Sequence, residues 1–462
     1  MPRRAVLSAE QLAEFRERGV LVVPGVLSAS EVAEVRGEFH ALLKARYGVD
    51  ALNLDAEGAA NLALASSTNG AGGILDIFHE PFQLRLASHP TIVAVLCELW
   101  RETLDTWRDT GALAAAATWA AESNGKYAGQ ALAGVDRVCF RLPDHIAAAA
   151  GEKAKSAGGG GGGGGKKAGA GAGAARPLQR HLAPHLDCCP HPQPPAPSSA
   201  PAPAPASAKW RPVQCFVALT DCPGPDCGGL EAAAGHHRDF YDWAARRAPS
   251  GPGPGPGPGA GAGPGAGSGA GAVSASAAVG ADTEPPQPQA RARAQAQAQA
   301  KGEARPGKQA RPPPCLGEFT PLRPAEDADV LAKMAPVPCS AGALVLWDNR
   351  IPHANARSNA GPGAREVVYL KLLPRCALNE AHVQAQRAGL LAREPPRDFW
   401  IGPAAAAAAA AAPAASDCSS DSAPASLGPL GRRLFGLEPW GPGETVWSSF
   451  LDPDPDPDPQ ST

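Results

Sequence analysis

Apolar positions recur at helical spacing early in the chain and at every second position later. Ser8 followed by Gln11 forms a capping box, Leu12 and Phe15 share a face, and Gly19 supplies a stop, which predicts a helix between Ser8 and Gly19. VLVVPG (20–25) reads as a short strand running into a turn. Ser28 and Glu31 form a second capping box, and Val32, Val35, Phe39 and Leu42 continue at helical spacing up to Gly48. A further helix is expected around 90–108, with Trp100 and Trp107 on it. Strands follow. VDRVCFRLP (135–143) alternates, and RPVQCFVALTD (211–221) puts Val213, Cys215, Val217 and Leu219 on one face. GALVLWD (342–348) and AREVVYLKLLP (364–374) predict two more strands, and Leu434, Phe435, Leu437, Trp440 and Trp447 predict a tail that packs back on the domain.

Between these elements lie tracts with no packable face: 152–175, 190–208, 248–313 and 402–425. They account for much of the 53 glycines and 50 prolines among 462 residues, a share well above the roughly 12% of average usage. Such tracts are expected as disordered surface inserts, because closure entropy grows only with the logarithm of loop length. The predicted organisation is a single domain over 1–462. An N-terminal helical and strand part covers 1–134, and a strand-rich core over 135–400 is interrupted by three inserts. After the insert 402–425 come the packing tail 426–451 and an extended tail 452–462. In that last tail DPDPDPDP (452–459) lacks the turn glycine and closing glutamate of a calcium loop. Helices in front of a strand-rich core predict a mainly β fold with flanking helices, built as a barrel or double sheet.

Charge narrows the partners. A net charge of −3 and a pI near 6.4 argue against nucleic acid or an anionic membrane surface. Apolar runs such as TIVAVLCELW (91–100) fall far short of the ~20 residues of a membrane span. The cysteines number eleven, with no C-x-x-C pair, so a reduced compartment is expected, with most cysteines serving as small apolar fillers. The opening MPRRAVLSAE has no apolar signal-peptide core, which favours the cytoplasm. Arg4, Gln11 and Leu12 match part of a peroxisomal motif that Ala5 breaks.

Three candidate chemistries stand in the sequence. Gly160 to Lys166 fits G-x-x-x-x-G-K, but Lys167 replaces the required Ser or Thr and an all-glycine loop has no flanking strand or helix, so the repeat explains the match. His185-Leu186-Asp187 is stronger. On an extended strand residues i and i+2 point to one side, so an imidazole and a carboxylate can reach a common metal. A second histidine would complete the two-histidine, one-carboxylate set of non-haem Fe(II) sites, which leaves positions open for cosubstrate and O₂. His237-Arg238-Asp239 also fits H-x-D, but it directly precedes the long Gly-Pro insert. His353, after the strand carrying Trp347, is the expected second histidine, giving His185, Asp187 and His353 as ligands. Arg365, on a strand face with Val367 and Tyr369, needs an anionic partner if it turns inward. Its planar fork suits the distal carboxylate of 2-oxoglutarate. Gln214, Arg141 and Tyr369 are lesser candidates for contact with that cosubstrate, and Arg137 is weaker still. Asn359 is expected to shape a turn.

The chain resembles the phytanoyl-CoA dioxygenase family of Fe(II)- and 2-oxoglutarate-dependent oxygenases. The resemblance rests on SAEQLAEFRERGVLVVPGVLSASEVAEVRGEF (8–39), HLD (185–187), GGLEAAAGHH (228–237) and HANARSNAGPGAR (353–365). Ala234 and His236 depart from the family's P-G-S-H turn, and His237 is not assigned to the metal. The resemblance implies a double-stranded β-helix (jelly-roll, cupin-like) core. It also implies a reaction in which decarboxylation of 2-oxoglutarate with O₂ at iron drives hydroxylation of a small-molecule or acyl-thioester substrate. Asp187 argues against a halogenase variant, in which a small residue vacates that position. Two other readings stay open: a non-catalytic β-sandwich scaffold, and a zinc-dependent cupin-like enzyme, for which Arg365 would have no carboxylate to clamp.

Overall fold

A computed structural model describes residues 5–104, 129–158, 178–188, 209–246, 320–396 and 427–449. The inserts expected at 152–175, 190–208, 248–313 and 402–425, and the tail 452–462, lie outside the described residues. The exception is the start of the first, where the helix Asp144–Gly158 carries on to Gly158.

The N-terminal helices form where their caps dictate. Helix Ala9–Arg18 and helix Ala29–Tyr47 each begin at a complete capping box, on Ser8 with Gln11 and on Ser28 with Glu31. Each ends at a left-handed glycine, Gly19 or Gly48. The second helix buries Val32, Val35, Phe39 and Leu43; Leu42, at the edge of the stripe, is half-buried, and Leu43 takes its place in the core. Helix Pro90–Thr103 ends before Trp107, which lies outside the described residues, and Trp100 is fully buried.

Among the described residues twelve strands pair antiparallel in two sheets. They are β1 (Val20–Val23), β2 (Ile74–Leu75), β3 (Ala131–Gly134), β4 (Val138–Arg141), β5 (His185–Leu186), β6 (Val213–Ala218), β7 (Leu230–Ala232), β8 (Thr320–Pro321), β9 (Ala335–Pro336), β10 (Leu344–Asp348), β11 (His353–Asn355) and β12 (Arg365–Pro374). The seven-stranded sheet runs β1-β10-β6-β12-β4-β2, with β3 also paired to β12. The five-stranded sheet runs β8-β5-β11-β7-β9.

Strand periodicity decides which residues meet what. On the larger sheet Leu21, Val213, Cys215, Val217, Leu344, Leu346, Val368 and Leu370 point outward into the main core, against the helices. The intervening Phe216, Val345, Trp347 and Val367 point the other way and pack with Leu230 and Ala232 of the smaller sheet. The smaller sheet therefore covers the inner face of the larger one, and polar side chains on that inner face are enclosed between two layers. Leu434, Phe435 and Trp440 join the outer core, with Trp440 Nε1 donating to the Ala131 carbonyl at 3.0 Å. Among the described residues no helix is long and apolar enough to cross a membrane.

One pair of cysteines departs from the expected reduced state. Cys222 and Cys227 form a disulfide. The intervening Pro-Gly-Pro turn brings their Cα atoms to 5.5 Å, inside the range a disulfide spans.

Two buried histidines away from the sheet interface make the fold acid-sensitive. Burial holds His79 and His236 down to about 4, with Lys333 adding to the effect at His236 and the Glu394 carbonyl opposing it at His79. The unfolded chain takes up these protons near pH 6.5 and the folded chain resists until about 4, so the unfolded state binds more protons in that window. Stability therefore falls as pH drops through it, by up to roughly 2 kcal/mol per histidine between pH 7 and 5. Urea unfolding at the two pH values checks this, and His236→Gln is expected to shrink the difference.

Candidate metal centre

His185 and His353 are cross-strand partners on β5 and β11, so register alone places their side chains together on the inner face. The ring centroids are 4.5 Å apart. Strand β5 ends at Leu186 and Asp187 lies in the bend that follows, so strand parity alone does not place its carboxylate. The carboxylate still reaches both rings. Asp187 Oδ1 is 3.5 Å from His185 Nε2, and Oδ2 is 3.7 Å from His353 Nε2. One ligand atom from each residue lies within 4.8 Å of the others, a spacing that suits a single ion.

Backbone carbonyls hold the two rings. His185 Nδ1 lies 2.9 Å from the Ala183 carbonyl and His353 Nδ1 3.1 Å from the Ile351 carbonyl. A carbonyl can only accept, so each Nδ1 donates to it and each Nε2 faces Asp187. Burial, and then the neighbouring His185, hold the His353 imidazolium well below its ordinary pKa, so the ring is neutral near pH 7. Burial alone would push the Asp187 carboxyl up. The adjacent His185 and His353, Arg211 and a hydrogen bond from Gln214 outweigh it and keep the group ionised. Two imidazoles and one carboxylate form a donor set that fits a divalent ion. Both histidines are buried, while the Asp187 side chain keeps 39% of its surface exposed, so the cluster has an open side.

Arg365 is the second anomaly of the inner face. It is 3% exposed at the start of β12, with its guanidinium 5.1 Å over the Phe216 ring. Nη1 has weak contacts, 3.4 Å to Asn355 Oδ1 and 3.6 Å to Cys139 Sγ. Nε and Nη2 have no hydrogen-bond partner, and among the described residues no carboxylate pairs with this cation. A buried charge left this way is costly, and a ligand carboxylate would relieve it. Asn355 joins the two halves of the site. It stands two residues after His353 on β11, on the same face, and its Nδ2 donates to the Gly72 carbonyl at 2.7 Å. Gly72 has φ 66°, and a Cβ there would come within 2.8 Å of Asn355 Nδ2, so this approach requires glycine.

The lesser candidates divide. Tyr369 stands beside Arg365 on the same face, its phenol pushed up to about 12, by burial first, and its oxygen 3.5 Å from Asn355 Nδ2. Gln214 turns to the metal cluster, with Nε2 donating to Asp187 Oδ2 at 3.1 Å. Arg141, the cross-strand neighbour of Arg365, is committed to the Gln179 carbonyl, to Asp144 at 3.0 Å and to the Arg357 carbonyl at 3.1 Å. Arg137 pairs with Asp76 at 2.7 Å. Asn359 shapes its turn, with Nδ2 donating to the Arg141 and Gly363 carbonyls. His237 is buried elsewhere, its Nε2 against the Arg16 carbonyl at 3.1 Å. Sequence reasoning missed Asn355, Phe216 and Trp347, whose ring centroid lies 5.1 Å from that of His353. The available signal was parity: Asn355 shares the face of His353, and Phe216 and Trp347 occupy the off-beat positions of their strands.

The Gig2-like family model matches residues 320–427, a stretch that contains His353 and Arg365 but not the H-x-D triplet. The match is to this model rather than to the phytanoyl-CoA dioxygenase family itself. No curated protein matches the chain by sequence. Similar solved structures include a hypothetical protein from Escherichia coli, at 15% identity and a TM-score of 0.48, covering 93% of this chain and 82% of that one. GlcNAc Inducible Gene 2 from Candida albicans is similar at 12% identity and a TM-score of 0.45, covering 85% and 69%. HygX from Streptomyces hygroscopicus, solved with nickel and 2-oxoglutarate bound, is similar at 14% identity and a TM-score of 0.34, covering 80% and 88%.

Proposed function

We propose that this chain is an Fe(II)- and 2-oxoglutarate-dependent oxygenase, of the phytanoyl-CoA dioxygenase-like kind, acting on a small-molecule or acyl-thioester substrate from a double-stranded β-helix core. The observation that carries the reading is the pairing of two features on one inner face. His185, Asp187 and His353 converge there, and Arg365 is buried there with no carboxylate partner among the described residues. Zinc would suit the three ligands equally but leaves Arg365 unexplained, and a scaffold without a ligand explains neither feature.

Each residue has a physical task in this reading. His185 and His353 offer Nε2, and Asp187 offers an ionised carboxylate, to hold Fe(II). When bound, Fe(II) with 2-oxoglutarate and O₂ supplies the oxidising power to hydroxylate a C–H bond. Arg365 binds the far carboxylate of the cosubstrate through Nε and Nη2, while Asn355 and the Phe216 ring hold the guanidinium in place. Phe216, Trp347 and Val367 keep water from that carboxylate, which strengthens the charge-assisted bonds. The exposed side of Asp187 gives the substrate its approach.

Succinate release from 2-oxoglutarate, measured with Fe(II) under air, tests the reading. Turnover is expected with Fe(II) and not with Zn(II). Metal-dependent chemistry without 2-oxoglutarate consumption would favour the zinc alternative.

A further inference from the structure

The turn between β10 and β11, residues 349–352, bonds directly to His353 and reaches Asp187 through its neighbours Cys188 and Gln214, without supplying a ligand. The Ile351 carbonyl takes the Nδ1 proton of His353. The Asn349 carbonyl takes the thiol proton of Cys188, next to Asp187, at 3.3 Å. Asn349 Oδ1 lies 2.5 Å from Gln214 Nε2, the same nitrogen that donates to Asp187 Oδ2. A carboxylate only accepts, so the orientation of the Gln214 amide is set by Asp187, and its second N–H is aimed at Asn349. The turn is itself locked. Arg350 and Asp348 form a buried bidentate pair, Nε to Oδ1 at 2.9 Å and Nη2 to Oδ2 at 2.7 Å, and the Asn349 N–H donates to the Pro212 carbonyl at 2.9 Å.

We infer that Asn349 is a positioning residue for the metal centre, acting through Gln214 on the Asp187 carboxylate, with the Asp348–Arg350 pair holding it in register. The inference rests on the proposed metal site and assigns the control of its most exposed ligand. Asp187 stands in a bend beyond the end of β5, where no ladder bond fixes its side chain, so its orientation depends on this relay. With Asn349 in place, the Gln214 amide has two acceptors and one geometry. Without it, the amide is free to turn, and the carboxylate loses the donor that aims it at the two Nε2 atoms.

Removing an outer hydrogen-bond partner of a ligand costs metal affinity by about 10–100-fold. Co(II) binding, followed by its visible spectrum in the absence of 2-oxoglutarate, is the readout. Asn349→Leu and Gln214→Leu are each expected to weaken Co(II) by about tenfold and to change the ligand-field bands, with thermal unfolding close to wild type. Asn349→Ala serves if leucine disturbs the turn. Asn349→Asp keeps the acceptor and is expected to restore affinity. Because Asn349 acts through Gln214, the double leucine variant should bind no more weakly than Gln214→Leu alone. Asn349→Leu and Asn349→Ala proteins that bind Co(II) as wild type does, or losses that add in the double variant, overturn the relay. Wild-type protein that takes up no Co(II) overturns the metal site itself.

Discussion

Arg365→Lys is expected to weaken 2-oxoglutarate by about tenfold or more while leaving Fe(II) affinity near wild type. A charge-assisted hydrogen bond contributes roughly 1.5–3 kcal/mol, and 1.4 kcal/mol is one decade in a binding constant. Lysine keeps the positive charge but loses the planar fork, so one or both of the bonds from Nε and Nη2 disappear. The stacking of the guanidinium over Phe216 and the contact with Asn355 go with it. The contacts of Arg365 run to Asn355, Cys139 and Phe216 rather than to the proposed metal ligands, so the effect should divide cleanly between cosubstrate and metal. Titrating 2-oxoglutarate against the Fe(II)-loaded protein, wild type and variant, measures it. An unchanged constant would remove Arg365 from the site and, with it, the main reason for preferring 2-oxoglutarate over a plain metal site.

The readability of this fold in its sequence tracks the length and regularity of each element. Strand β12 is ten residues long and rich in apolar and β-branched residues, and β6 puts Val213, Cys215 and Val217 on one face, so both could be read as strands. The capping boxes at Ser8 and Ser28 are local and equally visible. The smaller sheet is different. Its β5, β8 and β9 have two residues each, too short for a period, and their pairing joins segments that the inserts separate in sequence. The candidate triplet could be singled out only from its context, because His237-Arg238-Asp239 fits the same H-x-D pattern. What the sequence could not supply was the bend at Asp187. Nor could it reveal the relay that orients that residue, since Gln214 and Asn349 meet across a separation of 135 residues. The Gln214 side chain shows the limit well. Its place after the triplet pointed toward the cosubstrate, yet the fold turns its amide nitrogen to Asp187 and Asn349.

Asp187→Ala is expected to reduce Fe(II) affinity by more than the 10–100-fold typical of outer-partner losses, and to abolish succinate release. Asp187 is the one anionic group in the cluster, and the two imidazoles that remain lack the negative charge that favours a divalent ion. Removing the carboxylate also takes away the favourable interaction that opposes burial at His353, so the ring becomes harder still to protonate and stays neutral near pH 7. The fold should tolerate the change. The Asp187 side chain is 39% exposed and stands beyond the end of β5, so alanine opens no core cavity and breaks no ladder bond. Gln214 keeps Asn349 as a partner. Asp187→Asn separates charge from shape: it preserves size and a carbonyl oxygen but not the charge, and its metal affinity is expected to lie close to that of alanine. Calorimetric titration with Fe(II) under anaerobic conditions, alongside thermal unfolding of each apo protein, decides the matter. Fe(II) bound as tightly by Asp187→Ala as by wild type would place the ion elsewhere. Loss of the folded state in both variants would instead make Asp187 a structural residue whose meeting with His185 and His353 serves packing.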